Sequence, residues 1–178
     1  MSQHESNWRK GMVAGMVGGL IGTIVMTQFQ NGWTTASKKL SKNGDGARQQ
    51  DGESARAEQE SEDATMKAAG KIAEVAGRRL SHEQKKKAGP FVHYGFGTLQ
   101  GAMYGAVTEL AKVPGGFVPS LVFGAALFTV ADELALPALG LSGNPAEYPI
   151  TTHLYGLASH IVYGLSTEVA RRGLRAAI

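Results

Sequence analysis

Charge is unevenly distributed along this chain, and that distribution limits its folds more than any motif does. Four runs contain no Asp, Glu, Lys or Arg: residues 11–37, 88–108, 113–131 and 148–167. A bilayer core of ~30 Å takes roughly 20 helical residues, and each run is about that long. Between Asn31 and Ala88 lie twelve of the 18 Lys and Arg and nine of the 15 Asp and Glu. A mean hydropathy of −0.13 therefore averages over two very different kinds of segment.

Glycine supplies a second constraint, with 24 among 178 residues against a usual share of ~7%. Each interior glycine costs a water-exposed helix about 1 kcal/mol relative to alanine, whereas membrane helices use small residues for close approach. Gly11, Gly15 and Gly19 recur every four residues, Gly18 and Gly22 form a second pair, and Gly97, Gly101 and Gly105 repeat the pattern. Gly156 and Gly164 belong to the last apolar run. These positions are read as packing faces, open to contact within the chain, to a homo-oligomer or to another membrane protein. Cysteine is absent, which excludes disulfides and thiolate metal sites. The net charge of +3 comes from bases interleaved with acids or flanking apolar runs, so nucleic acid is not expected as a partner. The expected partner is the lipid bilayer.

The first span is expected over 11–29, after Trp8, Arg9 and Lys10, which suit an interfacial anchor. A cleaved signal peptide is the alternative, but "TTASKK" is a weak cleavage site and three more apolar runs follow. Residues 31–61 are polar and hydrophobically poor and read as a flexible loop. Over 62–87, Met66, Ala69, Ile72, Ala73, Ala76 and Leu80 fall on one stripe at helical spacing. Ser61 suits the N-cap, and Lys85–Lys87 the negative end of that helix. This segment reads as an amphipathic interfacial helix or as a solvated one with a thin alanine face. Further spans are expected over 90–110, 117–139 and 150–170, with Pro114, Gly115 and Gly116 turning the chain between the second and third. The fold expected is all-α: a four-helix antiparallel transmembrane bundle plus the amphipathic helix. A soluble helical protein with glycine-rich buried helices is the alternative. Four spans put both termini on one side with Arg9, Lys10, Lys112, Arg171, Arg172 and Arg175, while Lys38, Lys39, Lys42, Arg78, Arg79 and Lys85–Lys87 crowd the other; because the positive-inside rule discounts long loops, cytoplasmic termini are favoured.

Ionisable groups inside such runs should turn inward and find partners, because charge in hydrocarbon costs several kcal/mol. Topology brings His93, Asp132, Glu133 and His153 to similar depth at the end that holds the long loop, with His160 and Tyr163 deeper on the face of His153. At the opposite end, Glu109 and Glu168 are expected to pair with Lys112, Arg171 or Arg172. Three readings of the histidine–acid group compete: a structural network holding helix register, a proton or small-solute path, and a divalent metal site from His93, His153, Asp132 and Glu133. No HExxH, Walker or GxSxG motif occurs and no nucleophile is seen with a paired base, so neither an enzyme nor a cofactor or resident metal is expected.

The C-terminal text "SHIVYGLSTEVARRGLR", with "LPALGLS" upstream, resembles the end of the YagU-like bacterial inner-membrane proteins. The matched positions are Pro137, Gly140, His160, Glu168, Arg171 and Arg172. The resemblance implies a bacterial cytoplasmic-membrane location and about four helices, with no agreed activity. His93, Asp132, Glu133 and His153 lie outside the matched pattern. The expectation is a small polytopic membrane protein, non-enzymatic, with a structural or partner-binding role; the alternative is a transporter-like protein using the histidine–acid network.

Overall fold

The computed structural model describes residues 3–42 and 62–177. Among these the chain is helical, without strands. Helix α1 runs Gln3–Lys42, α2 Ala64–Val75 and α3 His82–Leu110. Helix α4 runs Phe117–Leu127 and continues through a π-helical stretch, Phe128–Ala135, into a last turn, Leu136–Ala138. Helix α5 is Ile150–Ala177.

Two of these helices are long and apolar enough to cross a membrane: Asn7–Lys39 within α1, and Phe117–Ala138. Four were expected. Helices α3 and α5 have ample length, at 29 and 28 residues. Their glycines, hydroxyls, histidines and tyrosines dilute the apolar content that a span requires.

Boundaries also differ from the expectation. Residues 31–42 continue α1 instead of opening a loop. Thr34 and Thr35 return their hydroxyls to the carbonyls of Gln30 and Asn31, at 2.9 and 2.8 Å, and Phe29 meets Trp33 one turn on. The rest of the expected loop lies outside the described residues, as does Ser61. Asp63 caps α2, its Oδ1 accepting the Met66 amide at 2.8 Å.

The segment 62–87 is two helices, not one. Gly77 takes φ +72°, and the Gly77 and Arg78 amides bond back to Glu74 and Ala73, the left-handed stop that glycine favours. Ser81 and Gln84 then form a reciprocal capping box. This places Lys85–Lys87 in the first turns of α3, away from any helix C-terminus. Met66 and Ala69 are buried, but Ile72 of the expected stripe is exposed.

Helix α1 sits between α3 and α5 and runs antiparallel to both. Its two glycine sets serve different neighbours. Gly11, Gly15 and Gly19 meet Gly105, Gly101 and Gly97 of α3 backbone to backbone. Gly18 and Gly22 lie against Thr167, Arg171 and Tyr163 of α5. Helix α4 packs on another face of α5, where Gly124 lies under the His160 backbone, Gly164 under Ser120, and Gly156 against the Phe128 ring. These faces are thus occupied within one chain. Helix α2 lies on the start of α3, held by Glu62 and Lys85 at 2.9 Å. Lys71 reaches the Leu139 carbonyl at the end of α4, where a cation suits the helix dipole.

Candidate functional site

Asp132 and Glu133 lie in the π-helical part of α4. Consecutive side chains of an α-helix diverge by ~100°, and the wider π-turn, often found at functional sites, narrows that angle. Both carboxylates thereby reach α5. Because the two helices are antiparallel, the earlier acid meets the later histidine.

Glu133 Oε1 lies 2.8 Å from His153 Nδ1. The other ring nitrogen, Nε2, lies 3.1 Å from the Pro145 carbonyl. Both nitrogens face acceptors, so the doubly protonated ring satisfies this site completely. His160 differs: its Nδ1 lies 2.9 Å from the Gly156 carbonyl and 3.7 Å from Asp132 Oδ2. The first is a hydrogen bond to the preceding turn; the second is an ion-pair distance too long for one. His160 is buried and its ring lies beside Phe128. The result is a ladder of two histidine–carboxylate contacts, an outer one closed and an inner one slightly open. The histidines are seven residues apart, ~10 Å along the axis.

His93 does not join this ladder. Its ring sits edge-on to Tyr94, and among the described residues it makes no hydrogen bond or ion pair to either carboxylate. Helices α3 and α4 meet elsewhere, through Tyr104 and Phe123, and among the described residues the α4 acids contact the α5 histidines. Tyr163 also works elsewhere: its hydroxyl donates to the Gly97 carbonyl at 2.6 Å and ties α5 to α3. Its ring is tilted against Phe123, which stacks on Tyr104. Among the described residues no three His, Asp or Glu side chains are grouped as metal ligands would be.

The opposite end of the bundle carries a second polar group. Glu168 and Arg171 form a buried two-pronged pair at 2.7 and 3.0 Å. Glu109 accepts from Arg175 at 2.8 Å and lies 3.9 Å from Arg171. Arg175 also reaches Asn7 at 3.3 Å. The expected partners of Glu109 included Lys112 and Arg172; among the described residues neither cation forms an ion pair. Arg175 lies outside the expected partner set, and its place one turn beyond Arg171 on the same helix face brings it to Glu109. Gly124 stands with no glycine three or four residues away, so no repeat marks it in the sequence.

The chain matches no family model, no curated protein and no solved structure.

Proposed function

We propose that this is a polytopic integral membrane protein of the bacterial inner membrane, in which α1, α3, α4 and α5 all span the bilayer and both termini face the cytoplasm. The observation that carries this reading is an inverted distribution of polarity. Phe91 is 80%, Val169 74% and Phe117 66% exposed, while Thr167 and Ser159 are fully buried and Glu168 is 3% exposed. Exposed apolar side chains line α1 as well, from Val13 through Met16, Val17, Leu20 and Ile21 to Ile24. Water-soluble monomers rarely expose contiguous patches of that extent, whereas lipid favours them and turns polar groups inward. The resemblance of the C-terminal text to the YagU-like proteins supports the same location.

Its role in this reading is structural or partner-binding, without catalysis. Helix α5 is the hub: it bonds α4 through His153 and Glu133, α3 through Tyr163 and Gly97, and α1 through Arg175 and Asn7. Alkaline carbonate washing of membranes from expressing cells is expected to leave the chain in the pellet; recovery in the supernatant would refute membrane integration.

One observation favours a second reading. The inner contact of the ladder, His160 to Asp132, is open at 3.7 Å, and a small rearrangement that closes it would let a proton pass between the two side chains. In liposomes holding a pH-sensitive dye, this reading expects a proton flux that His160→Ala abolishes. Equal and negligible flux in both proteins would leave the structural role alone.

A further inference from the structure

At the end of the bundle opposite the ladder, a cavity of about 550 Å³ opens between the start of α1, the α3–α4 turn and the end of α5. That volume falls within the range of small-ligand sites, ~300–1,000 Å³. Four cations line it: Lys112, Arg171, Arg172 and Arg175. Two carboxylates answer them. Glu168 is committed to Arg171, and Glu109 to Arg175. Lys112 and Arg172 are left without an ion-pair partner, so among the described residues the cavity lining carries an excess of positive charge.

We propose that this cavity binds the phosphate of an anionic phospholipid headgroup, with Arg172 and Lys112 as its principal ligands and the Arg171–Glu168 pair as its rigid floor. A planar guanidinium beside an ammonium suits a phosphate monoanion. Gly115 shapes the floor: a Cβ there would stand 2.5 Å from Glu168 Oε1 and 2.8 Å from Arg171 Nη2. Lys112 occupies a left-handed backbone position, φ +51°, at the end of α3. The Val113 amide bonds back to Thr108, as in helix stops where glycine is usual. A lysine held there against backbone preference sets its charge at the cavity wall.

The surroundings favour a lipid over free phosphate. Leu110, Val113, Phe117 and Val169 are exposed around this end, an apolar collar suited to acyl chains below a bound headgroup. Trp8 lies near the start of α1, one residue from the cavity-lining Asn7, as aromatic residues do at a membrane interface. This inference rests on the membrane reading above and adds a ligand class to it.

The test uses the full chain purified in a neutral detergent. Binding of dioleoylphosphatidylglycerol and dioleoylphosphatidylcholine is compared by native mass spectrometry, with inorganic phosphate as competitor. The wild type is expected to prefer phosphatidylglycerol, and millimolar phosphate is expected not to displace it. Each cation near a lipid surface contributes about fivefold, so the double variant K112Q/R172Q should bind that lipid roughly 25-fold more weakly. The swap K112R/R172K should retain the preference. So should R78Q/R79Q, which removes two exposed cations in the α2–α3 turn at the other end. An unchanged preference in K112Q/R172Q, equal binding of the two lipids, or displacement by phosphate would overturn the proposal. A chain that stays in carbonate-washed membranes yet binds both lipids alike would refute this site only; a chain stripped from those membranes would refute both readings.

Discussion

Replacing Gly101 with alanine should drive α1 and α3 apart. The added Cβ would lie 2.5 Å from Gly19 Cα and 2.7 Å from Gly19 N, and would run into the Gly15 carbonyl oxygen. Carbon atoms pack best at ~3.5–4.0 Å, so the helices must separate by about 1 Å at this level. All the obstructing atoms are backbone, and no rotamer change can relieve them. Overpacking of this kind costs ~1–3 kcal/mol, from which a gain of up to ~1 kcal/mol in helix propensity is subtracted. The net expectation is a loss of about 1–2 kcal/mol.

Gly95 provides the matched control on the same helix, since a Cβ there meets nothing within 4 Å. Gly95→Ala should stabilise by ~0.5–1 kcal/mol, because only propensity changes. The two variants should thus differ by about 1.5–3 kcal/mol, roughly 10- to 150-fold in the unfolding equilibrium. Titration with dodecyl sulfate in mixed micelles, followed by circular dichroism, measures that difference. If Gly101→Ala were as stable as Gly95→Ala, the close glycine seam between α1 and α3 would be refuted.

Three further outcomes follow from the polar contacts. Glu168→Gln leaves the buried Arg171 with Glu109, at 3.9 Å, as its remaining carboxylate among the described residues; it should destabilise by about 3 kcal/mol in the same titration, and a change below the assay error would refute the buried pair. A double-mutant cycle on His153→Ala and Glu133→Ala should give a coupling energy of ~0.6–1.7 kcal/mol, against a value near zero if the 2.8 Å contact is not formed. Lys85, hydrogen-bonded to Glu62, holds that carboxyl below its ordinary value. The contact therefore stabilises α2 above the usual glutamate range, and its contribution fades as pH falls through the lowered value. Amide exchange in Ala64–Val75 should quicken in Glu62→Gln at neutral pH, and the wild type should match the variant once pH is well below ~4.

Helix type and approximate extent could be read from the chain because they depend on local pattern. The third span is expected over 117–139 and the helical stretch runs Phe117–Ala138; the turn at Pro114–Gly116 lies where those residues suggest. The split of 62–87 was also legible, since Gly77 and the Ser81–Gln84 spacing are local stop and start signals; the apolar stripe across the gap obscured them. The π-helical turn carrying Asp132 and Glu133 had no such signal. It concerns hydrogen-bond register, which composition and periodicity do not encode.

Covalent order and residue chemistry alone thus determined that the chain is helical, that its glycines lie on faces, and that acids and histidines would occur in apolar surroundings. Each of these follows from a residue's own size, charge or spacing. Tertiary structure decided the pairings: Glu133 with His153 and not with His93, Glu109 with Arg175 and not with Lys112, and one glycine set of α1 for α3 with the other for α5. Those choices depend on which helices become neighbours and at what axial offset. Both are settled by the packing of the whole bundle at once, since a carboxylate on α4 can meet only the ring that antiparallel packing brings to its level.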